Sequence, residues 1–370
     1  MNQITTSKWL SLSATGVLSV ALLFSSCKKD EPTNTDDDTN KFSYTVPTTY
    51  NYSNVKHDDE VTLINMFVEL ETEMKKGATG TVLSSSKLQD MFANVNSPFV
   101  SSLLNAASVD IKSSSILSAR LDIEAYLDSL ASYSNSVSPA SNGVAGIGVS
   151  TVDATKKYLL SPKGFNYQQF VSKTLMGALI THQITELLSA SADNTTVVSE
   201  EGTEMEHNWD RAFGIFYAPI DFPTTLTGLK YWSSYCNQVN TIGSNKIVMD
   251  AFLKGRVAIS NGDIATKNIQ AAIIIEEFEK MTAAAAIHEL QEAREDLTNT
   301  PKVNTNVSES IAFLLSLKYN THKTHITNAQ IDTIVALYGD NLYELTTDKL
   351  NSVVSAISAI YGWDSIKDAI

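Results

Sequence analysis

The sequence predicts an all-α protein built as a duplicated helical bundle, and three observations carry that expectation. First, residues 281–297, MTAAAAIHELQEAREDL, read as a second copy of residues 175–188, LMGALITHQITELL. Placing His182 on His288 aligns Leu175 with Met281, Ala178 with Ala284 and Glu186 with Glu292, so each copy is a small-residue run followed by His-x-x-x-Glu. About 3.6 residues per helical turn puts such an i, i+4 pair on one face. Second, apolar residues keep helical spacing through most of the remaining chain. Third, no Pro/Gly-rich linker divides residues 45–370, which we read as one domain.

In chain order, residues 1–26 hold a single charge, Lys8, and an apolar and small-residue run over 10–24, the build of a secretory signal peptide and too short to span a bilayer as a mature helix. Leu-Phe-Ser-Ser-Cys27 follows, with the small residues before cysteine of a bacterial lipobox, so Cys27 is the expected lipid attachment site. Residues 27–44 then form a polar linker that lacks the apolar surface to offset its ordering entropy. Phe42 to Tyr52 alternates apolar and polar residues, as a short extended arm would.

Val61, Ile64, Phe67, Val68 and Leu70 predict a helix that starts at His57-Asp58-Asp59 and stops at Lys75-Lys76-Gly77. A second is expected over 113–133. Residues 136–151 read as a loop, since Gly143, Gly146 and Gly148 lack the preceding strand that a phosphate-binding fingerprint requires. The first repeat helix is expected over 166–190 and another over 204–217, stopped by Pro219 and Pro223. One or two helices follow over 226–259, broken near Gly243, before the second repeat helix. Helices over 308–319, 328–337 and 347–361 complete the bundle.

Lys and Arg total 27 against 41 Asp and Glu, a net charge of −14, which argues against nucleic acid and against direct attraction to anionic lipid. With Cys27 and Cys236 the only cysteines, no disulfide framework is expected; Cys236 reads as a small buried hydrophobe.

The candidate site is the duplicated pair itself. If the two helices face one another, His182, Glu186, His288 and Glu292 converge, and imidazole with carboxylate suits a transition metal such as iron, zinc or manganese. The competing arrangement packs the copies back to back, with each histidine bonded locally and the glutamates in water. Trp209 and Phe213, at i and i+4, read as core anchors, and Asp210 as a residue that favours its helix N-terminus. There is no His-Glu-x-x-His zinc-protease helix, because the residue four after His288 is Glu292, and no Gly-x-Ser-x-Gly elbow.

Taken together, Thr-Tyr-Asn-Tyr-Ser-Asn-Val55, Tyr-Leu-Leu-Ser-Pro-Lys-Gly-Phe165, the Leu-Met-Gly-Ala-Leu179 run, His-Asn-Trp-Asp-Arg-Ala-Phe-Gly214, Ala-Ile-His288 and Ser-Glu-Ser-Ile-Ala-Phe313 resemble the DUF4856 family, lipoproteins of Bacteroidota with no assigned function. The duplicated helices are distantly similar to the imelysin-like envelope proteins, which are linked to iron uptake and in part to peptidase activity. Their Gly-x-His-x-x-Glu motif is not reproduced, since Gly177 stands five residues before His182 and Glu186 four after it. The resemblance implies an outer-membrane lipoprotein, on its periplasmic or its surface side. Two functional classes follow. One is a non-catalytic binding component for a metal, metal complex or other nutrient. The other is a helical protein that partners an envelope transporter, with a metal-dependent peptidase as a third reading.

Overall fold

The longest helix shows why the chain folds as it does. It runs from Ile264 to Arg294, and from Met281 to Ile287 every residue is buried. A helix apolar on all sides belongs inside a protein, and the four alanines there let neighbouring backbones come close. Asp263 starts it by accepting a hydrogen bond from the Thr266 amide at 3.0 Å.

The computed structural model describes residues 42–52 and 55–370. The expected leader 1–26, Cys27 and nearly all of the linker lie outside the described residues. The helices, in order, are α1 (Asp58–Lys75), α2 (Ser85–Ala93), α3 (Ser102–Asn105), α4 (Ile111–Ser114), α5 (Arg120–Tyr133), α6 (Tyr167–Leu175), α7 (His182–Ser189), α8 (Glu204–Phe216), α9 (Tyr231–Gln238), α10 (Ser244–Ser260), α11 (Ile264–Arg294), α12 (Thr300–Ser316), α13 (Asn328–Ala336) and α14 (Thr347–Tyr361). Residues 44–370 form one unit around a continuous apolar core. Within it α11 packs most extensively on α10 and α12. Trp232, Phe216, Phe278 and Phe313 meet edge-on or tilted at the centre, with ring centroids 5.8–6.0 Å apart.

The protein is thus mostly α, as the sequence predicts. Helices α2 and α3 are not among the expected ones, and the helix expected over 113–133 is split into α4 and α5 where extended Ser115 leads to Ile116, whose amide bonds the Ala178 carbonyl instead. Three further differences stand out. The expected loop contains a hairpin, β1 (Gly146–Val149) paired antiparallel with β2 (Lys157–Leu160), Gly146 opposite Leu160. Glycine is a weak strand former, so the period-2 pattern is hidden. The glycines are needed because a Cβ at Gly146 would lie 1.9 Å from the Ser138 carbonyl oxygen. Helix α12 begins at Thr300, eight residues earlier than its apolar spacing suggests, with Pro301 in its first turn.

The third difference concerns the repeat. Between α6 and α7, Met176–Thr181 form a π-helical turn, whereas the matching part of α11 is regular α-helix. The wider turn frees carbonyls, and neighbours take them up: the Trp232 indole donates to Met176 O at 2.8 Å and the Ile116 amide to Ala178 O at 2.9 Å. Gly177 permits the bulge to sit against α12, since a Cβ there would lie 2.7 Å from the Ser316 Cβ.

The N-terminal arm carries no regular strand. Hydrogen bonds that hold it include Tyr44 Oη to Asp263 Oδ2 at 2.8 Å, the Tyr50 amide to Ile220 O at 2.7 Å, and the Tyr50 hydroxyl to Asp210. Among the described residues no helix is long and apolar enough to cross a membrane.

Candidate functional site

The expected convergence of His182, Glu186, His288 and Glu292 is not what the structure shows. Among the described residues no group of three or more His, Cys, Asp or Glu is placed to hold a metal ion. His182 Nδ1 lies 3.8 Å from Glu186 Oε1, whose other neighbour is His322 Nε2 at 3.5 Å, a residue outside the repeat. Burial holds the His182 imidazole below the ordinary histidine value. Glu292 pairs instead with Lys302, at 3.0 Å. Both histidines are half-buried, and the apolar faces of the two helices point into the core. The aligned pairs therefore sit at the rim of the bundle, where side chains find local partners.

Trp209 and Phe213 are core anchors, both buried. The Trp209 indole donates to Phe252 O at 3.0 Å and lies flat on α10, where a Cβ at Gly255 would approach its ring to 2.0 Å. Asp210 does not serve the helix N-terminus. Thr203 and Glu206 cap α8 reciprocally, and Asp210 is nearly two turns further on, fully buried. Its Oδ1 accepts from the Tyr50 hydroxyl and, at 2.8 Å, from Arg256 Nε, while Arg256 Nη1 reaches Glu206 Oε1 at 2.8 Å. Burial outweighs these partners and pushes the Asp210 carboxyl up to about 7. Cys236 is buried, and its thiol is pushed up to about 12 by that burial.

A second buried polar cluster lies where α6, α9, α11 and α12 meet. Lys173 Nζ is 3.0 Å from Glu309 Oε2. The Tyr235 hydroxyl stands 2.8 Å from Glu289 Oε1 and 3.1 Å from Glu309 Oε2. The one hydroxyl thus brings the two carboxyls together. Burial, then the Glu309 charge, drive the Glu289 carboxyl well above the usual range despite Lys173 and the Tyr235 hydrogen bond. For Lys173 burial acts downward, but Glu309, Glu289 and Glu71 together more than offset it and its pKa is raised. Its ammonium also lies 5.0 Å from the Tyr235 ring centroid and 5.5 Å from that of Phe313.

This cluster opens on a cleft of about 340 Å³ between α1, α6 and α9. Lys173 and Tyr235 form one end; Glu71, Lys75, Gln168, Gln169, Lys230, Tyr231 and Ser234 supply the other polar groups, and Met176, the first residue of the π turn, lines it too. Tyr231 adopts φ +47°, a strained backbone for an aromatic residue. Its ring stacks on Phe67 with centroids 4.1 Å apart, and its hydroxyl is 3.4 Å from Glu71 Oε2. A π turn and a strained tyrosine on the wall of one polar cleft are features that concentrate at binding sites.

The sequence did carry a signal for this cluster. Glu289 falls four residues after Ala285 and eight after Met281, on the buried stripe of α11; Lys173 is three after Phe170, and Glu309 four before Phe313. A charged residue at a core position is the mark of a buried ion pair. The His-x-x-x-Glu pattern drew the reading to His288, one residue and about 100° around the helix from Glu289.

No curated protein and no solved structure matches the chain. A sequence profile described as a domain of unknown function, DUF4856, matches residues 45–364. That match spans the helical unit from the N-terminal arm through Trp363, the cleft and both buried clusters included, and the chain belongs to the DUF4856 family.

Proposed function

We propose that the protein is a non-catalytic binding lipoprotein of the cell envelope, anchored in the outer membrane through Cys27, and that its ligand is a small anionic or zwitterionic solute held in the cleft between α1, α6 and α9. The observation that carries this reading is Lys173. An ammonium paired with a carboxylate and set against two aromatic rings is costly to bury, and here it faces a cleft rather than a sealed core. Lys75, Lys173 and Lys230 line that cleft with Glu71, and Glu309 pairs with Lys173 behind it, so the lining stays locally positive in a chain of net charge −14. Its volume of about 340 Å³ falls at the small end of ligand sites and suits an amino acid, a small dicarboxylate or a compact metal chelate. The apolar run over 10–24 that ends in Ser-Ser-Cys27 supports the address.

A thermal-shift screen of amino acids, dicarboxylates, ferric citrate and neutral monosaccharides tests the cleft. Anionic or zwitterionic compounds stabilise the wild type and not Lys173→Met; stabilisation by neutral sugars alone, or equal shifts in both proteins, overturns the reading. Membrane fractionation tests the address: Cys27→Ser leaves the protein soluble or uncleaved, and a cleaved Cys27→Ser protein that stays tightly on the membrane contradicts it.

A further inference from the structure

A second cavity, of about 680 Å³, lies on another side of the bundle and belongs to none of the groups described above. One wall is a single face of α11, made by Ile264, Lys267, Ala271 and Ile275 at helical spacing; the other is the end of α7 and the segment after it, from Leu188 to Asn194. Met205, the second residue of α8, completes the apolar lining.

Lys267 is only 5% exposed. Its Nζ donates to Leu188 O at 2.9 Å, a carbonyl in the last turn of α7 that has no partner within its own helix. An ammonium has three N–H donors, so two are left over. Among the described residues no carboxylate answers its charge. Asp193, which lines the same cavity, is taken up by the Thr195 amide and hydroxyl and by the Thr196 amide. Burial, unopposed by any acid, holds the Lys267 amine below the ordinary lysine value, the opposite of Lys173. A buried cation is normally paired, and the missing counter-charge is what a ligand carboxylate supplies.

We propose that this cavity binds a small monocarboxylic acid, its carboxylate on Lys267 and its aliphatic body against Leu188, Met205, Ala271 and Ile275. The site is separate from the α1–α6–α9 cleft and does not rest on the function proposed for it. Calorimetric titration of the full chain with octanoate, octylamine and acetate provides the test. Octanoate binds the wild type, acetate binds less tightly because it lacks the aliphatic body, and octylamine does not bind. Lys267→Arg keeps octanoate binding, and Lys267→Met weakens it by about ten-fold or more, the usual effect of removing a charged hydrogen-bond donor. Should Lys267→Met fail to fold, Ala272→Trp, a change at an exposed position on the cavity wall, fills the space without touching Lys267 and abolishes binding. Absence of octanoate binding, equal binding of octylamine, or octanoate affinity unchanged in Lys267→Met or Ala272→Trp overturns the proposal.

Discussion

Two buried clusters in this protein have the same inventory, one cation, two carboxyls and one tyrosine, and differ in what surrounds them. Arg256, Asp210, Glu206 and Tyr50 join the N-terminal arm to α8 and α10. Lys173, Glu309, Glu289 and Tyr235 join α6, α9, α11 and α12 and end at a cleft. The first uses a guanidinium, whose rigid fork bonds two carboxylates at once and fixes three segments. The second uses an ammonium, a point charge on a flexible stem, beside two carboxyls bridged by the Tyr235 hydroxyl. A fork suits a joint, and a point charge on a flexible stem beside a cleft suits a surface that meets a ligand. The comparison teaches that composition alone does not separate structural from binding clusters; access does.

Breaking the joint has the largest expected effect. Arg256→Met leaves Asp210 and Glu206 without their cation and costs about 3–5 kcal/mol, and Trp209→Ala beside it costs a similar ~3–5 kcal/mol for a deeply buried aromatic. Lys173→Met costs less, under about 2 kcal/mol, because Glu309 keeps 12% of its side chain exposed whereas Asp210 keeps none. Denaturant unfolding measures all three, and equal losses for Arg256→Met and Lys173→Met erase the distinction.

The pH dependence sharpens it. The folded Asp210 and Glu277 carboxyls both stand at about 7, raised first by burial. The native protein therefore holds more protons than the unfolded chain between the ordinary carboxylate range and neutrality. Their contribution is complete at acidic pH and is lost as pH rises through about 7. Glu277 has a buried Oε1 with no hydrogen-bond partner, so Glu277→Gln flattens this decline and gains on the order of 2 kcal/mol at pH 8. A decline as steep in Glu277→Gln as in the wild type removes that assignment. The smallest effect belongs to Glu289→Gln. Burial and the Glu309 charge favour the neutral form of Glu289, so this neutral isostere changes stability at pH 7 by less than about 1 kcal/mol, and a larger loss means that Glu289 carries charge.

Much of the fold was legible because its helices announce themselves by period. Val61 to Met74 and Met281 to Leu290 keep their apolar stripe, and the Trp209–Phe213 pair declares a core contact. What escaped depends on contacts distant in sequence. The strand at Gly146 needs its glycines because the Ser138 backbone crowds Gly146 and the Pro301 side chain crowds Gly148, and the π turn at Met176 is met by Trp232 and Ser316 from other helices. The cleft cluster draws its members from positions 173, 235, 289 and 309, which no local spacing rule connects. The repeat misdirected the reading of Glu186 and Glu292, whose i, i+4 pattern is real but faces outward to His322 and Lys302.

The most direct test sets the two tyrosines against each other. The most stabilising compound of the screen is titrated calorimetrically into Tyr235→Phe and Tyr50→Phe. Tyr235→Phe removes the hydroxyl that organises the Glu289–Glu309 pair at the end of the cleft, so affinity falls by about ten-fold. Tyr50→Phe loosens the arm and lowers the melting temperature, yet leaves affinity at the wild-type value. Affinity retained in Tyr235→Phe, or lost equally in both variants, contradicts the assignment of the cleft.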